Sequence, residues 1–153
     1  MAKKASGIFP ADEWMLSRSE TPTGTHHVRF RTSLPKDSVR KKYPMVMIVR
    51  WKFPLNIASG DPIPKVLNLM DQFEDRIMTV SNEERDWGTC AVVLTVGAIR
   101  EWRFFAPDDT KFVEGFNQAL EGYGPYPLTI QAFRDPDWNG LREFQPGGAR
   151  SGV

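Results

Sequence analysis

The stretch "TCAVVLTVGAIREWRFFA", Thr89 to Ala106, decides the reading of the fold. A run rich in β-branched side chains ends at Val96, and a second apolar and aromatic run, "REWRFFA", follows almost at once after Gly97. Two strand-like runs joined by so short a glycine-bearing gap predict a β-hairpin, because no crossover fits between them. Strand alternation then sorts the second run. Arg100, Trp102 and Phe104 share one face, Glu101, Arg103 and Phe105 the other, and one set must belong to the core.

Working upstream, "PMVMIVRWKF" from Pro44 to Phe53 reads as a strand whose first half is apolar on both faces. Arg50 and Lys52 place charge on one face toward its end. After the loop "PLNIASG", Asp61 is expected to cap a helix with Pro62 at its first position. Ile63, Val66, Leu67, Met70, Phe73 and Ile77 then recur at spacings of three and four, an apolar stripe down one helix face. Downstream of the hairpin, Asp108 or Asp109 caps a second helix with Phe112, Val113, Phe116, Ala119 and Leu120 on its apolar side. Gly122, Gly124 and Pro125 stop it, and "PLTIQAFR" is the last strand.

From Pro44 the order is strand, helix, strand, strand, helix, strand, an α+β pattern that predicts the split βαβ arrangement of ferredoxin-like folds. Right-handed crossovers would put both helices on one face of an antiparallel sheet, with Met45 to Phe53 and Arg100 to Ala106 as its central strands. Before this core, "EWMLSRSE" and "HHVRFRT" alternate on either side of "TPTG", so an N-terminal β-hairpin is expected. That hairpin must extend the sheet or cover its open face.

The 153 residues have the length of one domain, read as 1–153 with an ordered core over about 12–145 and fraying termini. Twenty basic against nineteen acidic residues give a net charge of +1, so no overall field draws the chain to nucleic acid or an anionic membrane. The single cysteine, Cys90, excludes an intramolecular disulfide, and no apolar stretch approaches the roughly 18 residues of a membrane span. The N-terminus has no apolar leader region either. A cytoplasmic location follows as the expectation.

The candidate chemistry has to be weighed against plainer readings. His26 and His27 are the only histidines, and neighbours in a strand point to opposite faces, so they cannot grip one metal together. One ring packed and one wet is the simpler reading. Cys90 lies in a buried run with no basic neighbour in sequence, which raises a thiol pKa and makes a core thiol. Glu83, Glu84 and Asp86 form a mixed-charge loop, and Asp108 with Asp109 sits where capping explains carboxylates. No phosphate loop, zinc spacing, nucleophile elbow or EF-hand pattern is present, so neither a metal nor a cofactor is expected, and the balance tilts away from an enzyme.

Two basic features remain. "KDSVRKKY" sets Lys36, Arg40, Lys41 and Lys42 in one linker, while Arg50, Lys52, Arg100, Trp102 and Arg103 lie on the two inferred central strands. Basic and aromatic side chains on an open sheet face are how RNA-recognition domains hold single-stranded RNA. Yet "REWRFFA" lacks the glycines and aromatic spacing of that signature. Near the C-terminus, "RDPDWNGLREF" offers a further candidate in Trp138. Asp135 can cap a helical turn with Pro136 first in it, and Trp138, Leu141 and Phe144 repeat at spacing three. An apolar clasp folding back after the last strand is preferred to a ligand-stacking Trp.

With these segments in place the chain resembles the bacterial family catalogued as domain of unknown function 695, over roughly Glu13 to Phe144. The resemblance rests on a Trp-bearing first strand at Trp14, "YP" before an apolar strand at Tyr43 and Pro44, a strand ending in aromatics at Trp102, Phe104 and Phe105, and a terminal Asp-Pro-x-Trp at Asp135, Pro136 and Trp138. It implies no catalytic residues. Some members are fused to a domain similar to the regulator of ribonuclease activity B, which implies a regulatory or binding role linked to RNA metabolism.

The expected function is accordingly a non-enzymatic binding or regulatory module with another protein as partner, acting through a sheet face or edge the helices leave open. A single-stranded RNA binder is the first alternative and a small-molecule enzyme with an unrecognised site the second. The binding candidates are Arg50, Lys52, Arg100, Trp102, Arg103 and Trp138. A homodimer is compatible with an open edge, but nothing in the sequence requires one.

Overall fold

The computed structural model describes residue 9 and residues 13–22, 24–55, 62–81 and 87–145. The elements in chain order are β1 (Trp14–Thr21), β2 (Gly24–Arg31), α1 (Asp37–Arg40), β3 (Met45–Lys52), α2 (Pro64–Ser81), β4 (Thr89–Val96), β5 (Ile99–Ala106), α3 (Asp109–Ala119), β6 (Leu128–Arg134) and α4 (Asn139–Arg142). All six strands join one antiparallel sheet in the order β1-β2-β4-β5-β3-β6. The N-terminal hairpin therefore extends the sheet, docking β2 on β4, rather than covering a face.

The β4–β5 hairpin forms as the sequence predicts. Gly97, at φ +59°, supplies the left-handed backbone at the first of its two loop residues, which a side chain would resist. β3 and β5 are the central strands of the β4-β5-β3-β6 part, as expected. The alternation of β4 is broken by a register shift between Cys90 and Val92, so Cys90 and Val93 both pack toward the helices while Ala91 and Val92 face the other way. A strand apolar at every position is thus used on both sides.

One face carries the larger core. Met47, Val49 and Trp51 of β3 and Trp102, Phe104 and Ala106 of β5 pack against Met70, Phe73 and Ile77 of α2 and Phe112 and Phe116 of α3. The two helices share this face, and α3 is capped by the Asp108 carboxylate, which accepts from the Lys111 N–H at 2.7 Å. Gly115 on α3 lets the Trp87 ring come so near that a Cβ there would lie 2.2 Å from it. Val113, assigned by sequence to the apolar side, is 37% exposed.

The start of α2 corrects the sequence reading. Pro62 sits in an isolated bridge with Leu55, and the helix begins at Pro64, the second proline of "PIP", with the Ile63 carbonyl accepting from Val66 and Leu67. Either proline suits a first helical position, so the sequence left a choice that the bridge decides. Asp61 lies outside the described residues, as do Glu83, Glu84, Asp86 and the terminal segments expected to fray, apart from Phe9, which is buried. The basic linker is not wholly irregular either: it holds α1, where Asp37 pairs with Lys41 at 3.1 Å and with Arg40 at 3.4 Å.

The second face is closed by the C-terminal segment. Trp138 is fully buried, its ring 3.9 Å from that of Phe105 and nearly parallel to it, while its indole N–H donates to the Tyr43 carbonyl at 3.0 Å. Leu141 is buried beside it and Phe144 stacks on Phe30. This is the clasp the sequence favoured, shifted by one detail. The turn opens at Asn139 rather than Pro136, and Asp135 caps it from four residues back by accepting from Asn139 and Gly140, each at 2.8 Å. Trp138 itself holds the strained left-handed conformation at φ 58°, which its burial must offset.

Candidate functional site

The structure separates the predicted binding residues. Arg100 and Trp102 lie on the helix side of β5, and Arg50, Lys52 and Arg103 lie on the other side of the sheet. Trp102 is fully buried, with its indole N–H donating to Glu74 at 3.0 Å and its ring 4.8 Å from that of Phe73. Trp138 is fully buried in the clasp. Neither tryptophan offers a free ring face on which a base could stack, and no open surface joins them to the arginines.

On the second face Glu101 organises the charges. Its carboxylate, 8% exposed, accepts from Arg50 Nε at 2.8 Å and from Arg103 Nε at 2.7 Å. Arg103 also donates through Nη1 to Glu143 at 2.7 Å and to the Gly140 carbonyl at 2.8 Å, and Arg50 reaches Gln131 at 2.7 Å. Burial lowers the Arg103 pKa, but its hydrogen bonds to Glu101 and Glu143 outweigh that and raise it. These arginines pin the C-terminal clasp and β6 to the sheet. Nε and Nη1 of both arginines are thus engaged within the fold, whereas Lys52 is exposed.

One accessible feature is the edge strand β6. It pairs only with β3 among the described residues, and every residue from Thr129 to Arg134 is exposed. The two faces both carry apolar groups, with Ile130 36% and Phe133 49% exposed. The register fixes which backbone groups are spent. Asp135 N–H donates to the Pro44 carbonyl at 2.7 Å, so in the same register Phe133, Gln131 and Thr129 point their amides toward β3. Ile130, Ala132 and Arg134 then turn their N–H and C=O groups outward. No charge or proline interrupts the strand from Leu128 to Phe133.

The opposite edge, β1, is defended differently. Its residues Arg18 and Glu20 pair at 3.3 Å, and Glu20 accepts from the Thr25 hydroxyl at 2.6 Å. Charged side chains of this kind blunt an edge against strand addition. The sequence reading did not single out β6 residues. Its signal was present, since the last strand of a split βαβ order falls at an edge, but "LTIQAFR" reads equally well as a covered strand because apolar residues occur at both parities.

Cys90 and Arg31 belong to the core, and the histidines lie at the surface of β2. His26 is half-buried and His27 exposed. Cys90 is fully buried and burial pushes its thiol up to about 12. Arg31, also fully buried, lies between the Phe9 and Trp14 rings at 4.3 and 4.5 Å and donates to the Cys90 carbonyl at 3.2 Å. Among the described residues no group of three or more His, Cys, Asp or Glu side chains could hold a metal ion, and no helix is long and apolar enough to cross a membrane.

No curated protein and no solved structure matches the chain. The model of a family of unknown function, DUF695, matches residues 12–145, which takes in every strand and helix described above. The chain therefore belongs to the DUF695 family.

Proposed function

We propose that the protein is a non-enzymatic binding module, regulatory in role and cytoplasmic, which docks an extended segment of another protein along the free edge of β6. The observation that carries this reading is the edge itself: a strand exposed on both faces, with outward backbone groups at Ile130, Ala132 and Arg134 and apolar contacts at Ile130 and Phe133. Strand addition draws affinity from main-chain hydrogen bonds and specificity from alternate side chains, and β6 offers both. Lys52 on the neighbouring strand and Arg134 at the end of β6 make the fringe basic, so a partner strand with acidic flanks fits. The architecture behind the edge is read as a ferredoxin-like core, supported by the β4-β5-β3-β6 order with α2 and α3 on one face.

The test is affinity capture from a nuclease-treated lysate with wild-type and Ala132→Pro baits. Proline at 132 removes one outward amide and leaves the inward bonds to β3 in place. A discrete protein held by the wild type and lost on the variant supports edge docking. Equal capture by both baits overturns it, as does an edge variant Ile130→Lys that binds unchanged. RNA recovered in place of protein without nuclease would move the reading to nucleic acid.

A further inference from the structure

A cavity of about 270 Å³ opens on the helix side of the sheet, well away from β6, where β2, the β4–β5 hairpin and the start of α2 meet. Strand register builds its floor. His27 pairs with Thr95 and Thr95 with Arg100, so three polar side chains lie in one row across three strands, with Thr25 two residues further along β2. Leu67, one turn into α2, and Pro62 form the apolar wall.

The donor accounting at Arg100 is incomplete. A guanidinium has five N–H donors. Its Nε donates to Thr95 Oγ1 at 2.9 Å, but among the described residues the Glu74 carboxylate comes only to 4.0 Å from Nη1, beyond hydrogen-bond reach. Glu74 is already committed to Arg29 at 2.6 Å and to the Trp102 indole at 3.0 Å. The side chain of Arg100 is nevertheless only 16% exposed, and burial, with Arg29 nearby, lowers its pKa against the opposing pull of Glu74. The Glu20 carboxylate accepts from the Thr25 hydroxyl at 2.6 Å and pairs with Arg18 at 3.3 Å.

We propose that this cavity binds the oxyanion group of a small molecule, a carboxylate or a phosphate, between the Nη donors of Arg100 and the imidazole of His27, with the ligand's apolar part against Leu67 and Pro62. Arg100 presents the planar fork that suits bidentate contact with either group. The volume lies just below the usual range of small-molecule sites, which favours a ligand of small-metabolite size.

The test is a titration of the ¹⁵N-labelled protein with inorganic phosphate, acetate or chloride at matched ionic strength, following the Arg100 Nε–H and Gly97 amide resonances. A saturable shift with phosphate or acetate that chloride does not reproduce supports the site, and the more effective of the two identifies the head group. Arg100→Gln should weaken that binding about tenfold or more, as loss of a charge-assisted pair does. His27→Ala, at an exposed position that does not threaten the fold, should weaken it several-fold. Shifts that never saturate, an equal response to chloride, or unchanged affinity in both variants would overturn the proposal.

Discussion

Trp138 concentrates several physical demands in one residue. It stacks on Phe105, donates to Tyr43, touches Phe9 at 5.8 Å and accepts a left-handed backbone. Truncation should therefore be costly. Trp138→Ala is expected to lose roughly 3 kcal/mol or more in chemical denaturation, as large aromatic deletions in cores do. A Trp ligand on a surface would lose little stability, so the same measurement separates the two readings of this residue. Cys90 gives a second residue-level expectation. Its folded thiol titrates near 12, above the ordinary value near 9, so between these values the unfolded chain has released a proton that the folded chain keeps. Stability from this group is intact below about pH 9 and declines as the pH rises through about 12. Cys90→Ala should remove that part of the decline, and the native thiol should resist alkylation at pH 8 until the protein is unfolded.

At the scale of elements, the sequence spoke most clearly where periodicity and caps agree. The β4–β5 hairpin, the stripe of α2 at Met70, Phe73 and Ile77, and the Asp108 cap of α3 follow from residues whose preferences point one way. It spoke least clearly where two answers were chemically equivalent. Pro62 and Pro64 compete for the first turn of α2, and tertiary pairing with Leu55 decides. Arg100 and Arg103 alternate visibly, but which is bound by acids depends on Glu74 and Glu101, and Glu74 comes from a distant helix. β6 shows the same limit, because edge position is a property of strand order and not of "LTIQAFR" itself. Its two parities yield a paired expectation. Ala132→Pro should leave the denaturation midpoint nearly unchanged, whereas Thr129→Pro, which removes an amide aimed at β3, should cost about 1–3 kcal/mol. Equal losses at both positions would contradict the register drawn from Asp135 and Pro44.

For the molecule as a whole, both sheet faces are occupied, one by α2 and α3 and the other by the C-terminal clasp with its arginine network. The broad α+β layout was legible because hydrophobic periodicity reports which side of each element is buried. The location of a functional surface was not, since burying Trp102 and Trp138 removes the residues that composition marks as most suggestive. The β6 edge and the cavity at Arg100 are each built from residues far apart in the chain. The edge carries the central claim, and amide hydrogen exchange on β6, free and with the captured partner, tests it most directly. In the free protein Ile130, Ala132 and Arg134 should exchange fast while Thr129, Gln131 and Phe133 are protected, and the partner should slow the first three. Uniform protection in the free protein, or outward amides that stay fast in the complex, would contradict docking at this edge.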